Sequence, residues 1–418
     1  MKFLFSSLLL LLTVLLNAQE NKYLLKPDRV FDGQEMHTDW AVLVVGNKII
    51  KAEQKGFETP SGTKVIDLEG TTLLPGLIEG HAHLFLHPYN ETSWNDQVLK
   101  ESRTERSLRA ANHAKATLMA GFTTLRDLGT EGAAYDDIGL KTAIAKGIIV
   151  GPRVITATKA IVGEGSYGVK AESADLDLPK GAAEVGNQAE MAKEVRHQIG
   201  KGADVIKVYA DYRWGPKGES APTFTEEELA TAVAIAKSSG RYVAVHSSTK
   251  EGMLRSIRAG VHTIEHGSQG DLEVFQQMKA KNIAFCPTLA AGASIMEYSG
   301  WKEGVDPDPE RIVESKASFK AALASGVTIL MGGDVGVFPH GDNAKEMEMM
   351  VEYGMEPLEV LRSATSVNAE VFGYGGQIGR LQPGMLADII AVKGDPTQDI
   401  KRVRNPTLVM KDGVIYKQ

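Results

Sequence analysis

The 418-residue chain has little cysteine and no excess of positive charge. Cys286 is the only cysteine, which excludes an intrachain disulfide. The formal net charge is −7, so the composition does not favour binding to nucleic acid or to an anionic membrane surface. The sequence has no glycine-rich phosphate loop of the Rossmann or Walker type. Since 43% of the residues are hydrophobic, the chain nevertheless has enough apolar material for a large globular core.

A nearly continuous apolar run lies at the N-terminus, from Phe3 to Leu16, directly after Lys2. The run is too short to span a bilayer comfortably, and Asn17–Gln19 end it. This pattern predicts a secretory signal peptide over residues 1–18, with a retained anchor as the alternative. An exported chain without disulfides fits a bacterial periplasm, and secretion is a second destination. After cleavage we expect no stable membrane anchor.

Both ends of the remaining chain are rich in short strands and turns. In residues 19–72, Ala41–Val45 and Lys48–Ala52 flank Gly46-Asn47, which predicts a hairpin. In residues 371–418, apolar stretches are separated in the same way, for example around Asp412-Gly413. The two ends therefore predict one small β domain to which both termini contribute.

The middle of the chain, residues 73–370, alternates helical patterns with short apolar strands. Several helical patterns stop at a glycine, such as Gly202, Gly260 and Gly326, and a strand follows at once. Eight alternating units predict a closed parallel β/α barrel, and an open doubly wound sheet is the alternative. The predicted strands lie near residues 74, 123, 154, 205, 243, 262, 283 and 328.

The first predicted barrel strand, Thr72–Ile78, runs directly into a pair of histidines, His81 and His83. Side chains two residues apart on an extended chain point the same way, so both imidazoles are expected to converge on one point. The alternative is two loop histidines without a shared role. A His-x-His pair alone does not decide between these interpretations.

Lys207 lies inside the apolar fourth strand, Asp204–Ala210. Burying an ammonium group is costly unless it is paired or neutralised. A neutral amine reacts with carbon dioxide to form a carbamate, and that anionic group is suited to bridging two metal ions. The alternative is a buried lysine paired with a carboxylate.

Three further candidate ligands end later strands: His246, His266 and Asp334. Each has an ordinary explanation, because a histidine can pack in a core and an aspartate after glycines can cap a helix. Together with His81, His83 and Lys207 they fall at the ends of strands one, four, five, six and eight. Imidazole and carboxylate ligands suit zinc or a similar divalent ion, and the set predicts a metal site.

The motifs around these residues, taken together, resemble the amidohydrolase superfamily in its imidazolonepropionase-like branch, which includes Xaa-Pro dipeptidases. The resemblance covers essentially the whole chain after the signal peptide. It is carried by the segments Leu74–His83, Ile206–Val208, Val245–His246, Ile264–Gly267, Gly333–Asp334 and Leu381–Asp388. It implies an α/β fold: a distorted TIM (β/α)8 barrel over residues 73–370 and a small β-sandwich from residues 19–72 and 371–418.

The resemblance also implies a binuclear zinc centre, with other divalent metals as alternatives. One metal would be held by His81, His83 and Asp334, and the second by His246 and His266. A carboxylated Lys207 and a hydroxide would bridge them, and hydroxide attack on an amide carbonyl would follow. Asp334 would take the proton of the hydroxide and deliver it to the leaving amine. Lys207 and Asp334 are thus the predicted catalytic residues.

The sequence departs from its relatives in the segment that follows the third strand. Many relatives have a Gly-Gly-His segment there, whereas Ala160–Gly168 contains no histidine. Tyr167 is a candidate to bind substrate in its place, with Ser166 as the alternative. Tyr212 and Arg213 follow the fourth strand and are candidates to bind a carboxylate, and His340 in the last loop is a fourth candidate. The alternative is that these residues only pack or lie at the surface.

The sequence therefore predicts a metal-dependent amidohydrolase that acts on a small molecule. An Xaa-Pro or other dipeptide, or an N-acyl amino acid, is the expected substrate. One alternative is a cyclic amidohydrolase of the imidazolonepropionase type, which export disfavours. Another is a non-catalytic barrel that only binds its ligand. Because relatives commonly assemble, a homo-oligomer is an open alternative to a monomer, and no nucleic-acid partner is expected.

Overall fold

The computed structural model describes residues 21–169, 173 and 175–418. The predicted signal peptide, residues 1–18, lies outside the described residues. Among the residues that are described, no helix is both long enough and apolar enough to cross a membrane.

The described chain is a mixed α/β protein with strands at both ends and alternating strands and helices between them. The strands are β1 Lys22–Phe31, β2 Met36–Thr38, β3 Trp40–Val45, β4 Lys48–Gln54, β5 Lys64–Pro75, β6 Leu77–Ala82, β7 Phe122–Asp127, β8 Arg153–Thr156, β9 Ile161–Gly163, β10 Ala183–Val185, β11 Ile206–Tyr209, β12 Asp211–Arg213, β13 Ser220–Pro222, β14 Val243–Ser247, β15 Thr263–His266, β16 Ala284–Cys286, β17 Ile389–Lys393, β18 Leu408–Lys411 and β19 Val414–Lys417. The α-helices are α1 Trp94–Lys100, α2 Arg103–Met119, α3 Asp136–Ala145, α4 Gln188–Lys201, α5 Glu226–Ser238, α6 Lys250–Ala259, α7 Leu272–Ala280, α8 Leu289–Tyr298, α9 Glu310–Ser325, α10 Ala344–Glu352, α11 Pro357–Arg362 and α12 Asn368–Val371. A π-helical turn, Ser363–Val367, joins α11 to α12, and a 3-10 helix spans Ile400–Arg404.

Strands from both termini form one eight-stranded sheet in the order β19-β18-β17-β5-β1-β3-β4, with β2 paired to β1. The predicted hairpin is confirmed: β3 and β4 are antiparallel and pair Val45 with Lys48 across the turn. The C-terminal hairpin of β18 and β19 turns at Asp412-Gly413. Because these strands share one hydrogen-bonded sheet, the expected sandwich of two sheets is not confirmed among the described residues.

The chain passes from the terminal sheet to the middle of the molecule at Gly76. The prediction of one barrel strand over Thr72–Ile78 was wrong, because β5 stays in the terminal sheet through Pro75 and β6 begins at Leu77. No side chain fits at position 76, since a Cβ on Gly76 would lie 2.2 Å from Thr123 Oγ1. His81 therefore lies within β6, and His83 follows its end.

Apart from the antiparallel pair β12-β13, the middle strands form two parallel sheets. One has the order β6-β7-β8, and the other has the order β10-β9-β11-β14-β15-β16. The predicted closed barrel is not observed as one continuous sheet in the described chain. The segment expected as the eighth strand, near residue 328, forms only isolated parallel bridges, Phe285 with Ile329 and Ala82 with Val335. Those bridges bring the end of β6 beside the segment that contains Asp334.

The helices that cover the parallel strands end as the sequence predicts. Gly202, Gly260 and Gly326 end α4, α6 and α9 in the left-handed conformation, which glycine adopts without strain. The side chain of Thr225 caps α5 and forms a capping box with Glu228. The strands β6, β11 and β16 are buried along their whole length, as parallel strands covered on both faces are.

Candidate functional site

Four of the predicted ligands lie together where the parallel strands end. His83 Nε2 is 3.2 Å from Asp334 Oδ1, and His81 Nε2 is 3.8 Å from the same oxygen. The rings of His81 and His266 have their centroids 5.0 Å apart. Ligand atoms of His81, His266 and Asp334 all lie within 4.8 Å of one another, which is a spacing that can hold a metal ion.

The Nδ1 atoms of His81, His83 and His266 are engaged by groups outside the cluster. His81 Nδ1 donates to Glu265 Oε2 at 2.9 Å, and His83 Nδ1 donates to the carbonyl oxygen of Gly129 at 2.8 Å. His266 Nδ1 is 2.7 Å from Thr288 Oγ1. With Nδ1 engaged, each ring is oriented and its Nε2 is left available toward the cluster. Metal-binding histidines in proteins are oriented in this way.

The fifth and sixth predicted ligands, His246 and Lys207, lie on neighbouring strands. The ring of His246 is 4.3 Å from that of His266 and stacks on Tyr209 with centroids 4.4 Å apart. Lys207 on β11 is fully buried, and its Nζ has no hydrogen-bond partner among the described residues. Its predicted alternative, a direct ion pair with a carboxylate, is absent from the described part of the chain.

Burial and mutual charge shift the pKa of every group in this cluster. Burial lowers the pKa of Lys207 to about 8 and, with the charge of Lys207, lowers that of His81 to about 4. Burial also lowers the pKa of His246 and His266 well below the usual range. For Asp334, burial is outweighed by His81 and His83, and its pKa falls to about 2. His81, His246 and His266 are therefore neutral beside an ionised carboxylate, as metal binding requires, whereas at His83 the nearby Asp334 outweighs burial and raises the pKa to about 9.

Two of the cluster residues have an unusual backbone conformation. The φ angle is +73° at His266 and +61° at Asp334, in the left-handed region that non-glycine residues rarely adopt. Such strain costs about 1–3 kcal/mol per residue and concentrates at functional sites.

The residues present fit a divalent metal centre. Lys207 Nζ and Asp334 Oδ1 are both buried without a hydrogen-bond partner among the described residues, which is unfavourable unless a further group binds them. Imidazole nitrogens and carboxylate oxygens are suitable donors for zinc and similar ions. A second group, His81, Glu265 and Cys286, also has suitable spacing, but Glu265 is already paired with Arg126.

Comparison with known proteins decides the family. The sequence profile of the amidohydrolase family matches residues 72–416, which is most of the chain. The chain belongs to the amidohydrolase family. An amidohydrolase is a hydrolase, and the relatives of this chain indicate that it acts on carbon–nitrogen bonds.

Ochratoxinase from Aspergillus niger is 31% identical over 92% of this chain and 84% of its own length. Its crystal structure matches with a TM-score of 0.80 and 26% identity, covering 96% of each chain. An Xaa-Pro dipeptidase solved with methionine in its active site is 32% identical, with a TM-score of 0.84, covering 95% of this chain and all of its own. A prolidase solved with N-methylphosphonate-L-proline is 26% identical, with a TM-score of 0.83, covering 95% of this chain and all of its own. The amidohydrolase assignment therefore holds along nearly the whole chain.

His83, His246, His266 and Asp334 of this amidohydrolase line a cavity of about 230 Å³. Tyr167, Tyr212 and Arg213, three of the predicted substrate-binding residues, line it. Its lining also includes Glu131 and Arg311, which sequence analysis did not select. These residues place groups of both charges beside the candidate metal centre.

The fourth predicted substrate-binding residue, His340, is not in the lining of this cavity. Its Nε2 donates to the carbonyl oxygen of His83 at 3.2 Å, and its ring stacks on that of His113 with centroids 4.5 Å apart. His340 thus contacts the backbone of the candidate ligand His83 rather than the substrate cavity.

The groups that support the candidate ligands were not among the residues predicted from the sequence. Glu265 receives His81 Nδ1–H and pairs with Arg126, whose Nη2 is 2.9 Å from its Oε1. Glu79 accepts hydrogen bonds from the backbone N–H of His81 and of Gly333. Both glutamates stand inside apolar strands, as Lys207 does, and that shared feature was the signal available in the sequence.

Proposed function

We propose that this amidohydrolase is a binuclear, zinc-dependent dipeptidase that cleaves the peptide bond of Xaa-Pro or related dipeptides. The proposal is carried by the convergence of His81, His83, His266 and Asp334, the last three of which line a cavity that Arg213 also lines. The likeness to an Xaa-Pro dipeptidase and to a prolidase supports the choice of substrate class. N-acyl amino acids share the free carboxylate of such dipeptides and are the second substrate class.

Six side chains would hold the two metal ions: His81, His83, Lys207 as its carbamate, His246, His266 and Asp334. When bound, the ions supply Lewis acidity toward the carbonyl oxygen and lower the pKa of water. Lys207 has the unpartnered, buried amine that carbamate formation requires. We further propose that the two parallel sheets are the halves of a distorted TIM barrel, and that the terminal strands are its associated β domain.

The protein's own residues would position the substrate and move the proton. Arg213 and Tyr212 would bind the C-terminal carboxylate, because a guanidinium donates two parallel hydrogen bonds to a carboxylate. Asp334 would take a proton from the attacking water at its unpartnered oxygen and pass it to the leaving amine. The leaving amine of an Xaa-Pro substrate is the proline nitrogen.

The test is a screen of the mature, zinc-loaded protein with metal analysis of the same preparation. Xaa-Pro dipeptides, other dipeptides and N-acyl amino acids are supplied in parallel, and Met-Pro is included because a related dipeptidase was solved with methionine bound. We expect hydrolysis of at least one class and about two divalent ions per chain. Less than one tightly bound ion per chain contradicts the binuclear centre. Binding of these compounds without hydrolysis would support the non-catalytic alternative.

We also propose that the protein is exported to the periplasm. The apolar run Phe3–Leu16 after Lys2 supports this, as does the single cysteine of the chain. Fractionation of cells that express the full chain, with N-terminal sequencing, tests it: the periplasmic form should begin near Gln19. A cytoplasmic protein with an intact N-terminus would contradict it.

A further inference from the structure

Glu131 is a buried carboxylate in the wall of the cavity, and only one of its oxygens is engaged. Its Oε2 accepts a hydrogen bond from Trp94 Nε1 at 2.9 Å and from the hydroxyl of Tyr167 at 2.5 Å. Its Oε1 is buried and has no hydrogen-bond partner among the described residues. The residue as a whole is only 2% exposed. The two donors to Oε2 hold the carboxylate in place and leave Oε1 free to receive a ligand.

No cation of the described chain pairs directly with Glu131. Arg106 is near enough to feel its charge, yet its guanidinium donates to the carbonyl oxygens of Phe85 and Thr130. Leaving a buried carboxylate oxygen unpaired is unfavourable, so such an atom requires a partner, which can be a water, an ion or a bound molecule. Because Glu131 lines the cavity, a molecule bound there can supply that partner.

Glu131 lies at the end of the cavity where the candidate metal centre lies. A Cβ built on Gly129 would be 3.2 Å from Glu131 Oε1 and 3.5 Å from His83 Cε1, so both side chains border the same point. The φ angle of Glu131 is +47°, in the left-handed region that non-glycine residues rarely adopt. Oε1 therefore lies near His83, one of the candidate ligands of the metal centre.

The cavity also has positive charge in its lining, supplied by Arg213 and Arg311. Neither guanidinium forms an ion pair with a carboxylate of the described chain, and the charge of Arg213 contributes to lowering the pKa of Arg311. Apart from Asp334 at the candidate metal centre, the cavity thus presents one negative group, Glu131, and two positive groups without an ion-pair partner among the described residues. A free dipeptide is a zwitterion and matches this arrangement, whereas an N-acyl amino acid has only the negative charge.

We propose that Glu131 binds the α-ammonium group of the substrate through Oε1 and thereby selects free dipeptides over N-acylated ones. The proposal rests on the proposed function. It adds that the free ammonium group of the substrate distinguishes the two proposed substrate classes, dipeptides and N-acyl amino acids. In a dipeptide the α-ammonium is one carbon away from the scissile carbonyl, which agrees with the position of Oε1 beside His83. An acylated nitrogen has no charge, so binding it would leave Glu131 buried and unpaired.

Substitution Glu131→Gln tests the proposal through substrate selectivity. The ratio of kcat/KM for Met-Pro to that for N-acetyl-Met-Pro should fall by about tenfold or more, since a hydrogen bond between charged groups is lost. Glu58→Gln removes the same charge from an exposed position and should leave the ratio unchanged. An unchanged ratio in Glu131→Gln, with metal content equal to that of the wild type, overturns the proposal.

A binding measurement separates this inference from the proposed function. Calorimetry on the zinc-loaded wild-type protein compares L-methionine with 4-(methylthio)butanoate, which lacks only the ammonium group. We expect methionine to bind at least about tenfold more tightly, and the difference to disappear in Glu131→Gln. If no dipeptide is hydrolysed but methionine is preferred, the proposed function fails and the ammonium site stands. Equal affinity of the wild-type protein for both compounds overturns the ammonium site, even if Glu131→Gln does not fold.

Discussion

Glu265 accepts a hydrogen bond from His81 Nδ1 at 2.9 Å, and the same carboxylate pairs with Arg126 at 2.9 Å in a fully buried contact. The positive charge of Arg126 and the hydrogen bond from His81 hold the pKa of Glu265 well below its usual range, against the effect of burial. Glu265 is therefore ionised, and it fixes His81 with Nδ1 protonated and Nε2 available. Glu265 on β15, a strand of the other parallel sheet, thus orients the candidate ligand His81 on β6.

Replacing Glu265 by Gln should weaken both folding and metal binding. The change leaves Arg126 buried without a counter-charge, and breaking a buried ion pair costs about 3–5 kcal/mol. Loss of such an outer partner lowers metal affinity by about 10–100-fold. Urea unfolding and a zinc titration measure the two effects. In the double variant Glu265→Gln/Arg126→Met we expect stability to recover while zinc affinity does not, and recovery of both contradicts the orienting role.

Replacing Lys207 by Ala should abolish hydrolysis, with partial recovery on adding formate or acetate. The reason is that a small carboxylate can occupy the position of the proposed carbamate oxygens. The free energy of unfolding should fall much less than the activity, because the unpartnered amine of Lys207 is itself unfavourable when buried. Initial rates and thermal melting provide the measurements. Lys193→Ala, at an exposed position on α4, is the matched control, and full turnover by Lys207→Ala refutes the carbamate.

Replacing Arg213 by Gln should raise the KM for dipeptides more than it lowers kcat. The guanidinium would bind the substrate carboxylate equally in the ground and transition states, so its removal weakens uniform binding. An increase of about tenfold or more is expected for a charged hydrogen bond. Dipeptide amides, which lack the carboxylate, should show no such change. Arg196→Gln, exposed on α4, is the control, and an equal effect on acids and amides contradicts carboxylate binding.

The stability of the protein should include a pH-dependent contribution from Glu346. Burial raises its pKa to about 8, although the backbone N–H groups of Leu289 and Ala290 donate to its oxygens. In the unfolded chain the pKa returns to about 4.5. Between these values the folded protein holds more protons than the unfolded chain, so this contribution to stability falls as the pH rises.

Substitution Glu346→Gln should remove that part of the pH dependence. Urea unfolding at a series of pH values between about 5 and about 8 should give a flatter profile for the variant than for the wild type. The variant should also be less stable at the acid end, because its amide group cannot accept from both Leu289 and Ala290. Parallel profiles for the two proteins would show that Glu346 ionises normally in the fold.

Much of the candidate site follows from local sequence alone. Residues at the ends of parallel strands meet at one edge, so His81, His246, His266 and Asp334 were predicted as neighbours from their positions after apolar runs. The hairpin at Gly46-Asn47 and the helix ends at glycine follow from local conformational preferences in the same way. The hairpin and the helix ends depend on residues close together in the chain. The candidate ligands share one local signal, a position just after an apolar strand. One sequence is therefore enough to predict both.

Other features required the tertiary structure. Glu131 reaches the cavity because Trp94 and Tyr167, 37 and 36 residues away, hold one of its oxygens. The hydrogen bond between His81 and Glu265 spans 184 residues. Pairs so distant in sequence leave no periodicity or spacing in the chain. The sequence by itself thus determined which groups end the strands. Only the packing of those strands decided which buried charged groups are paired, and which have no partner among the described residues.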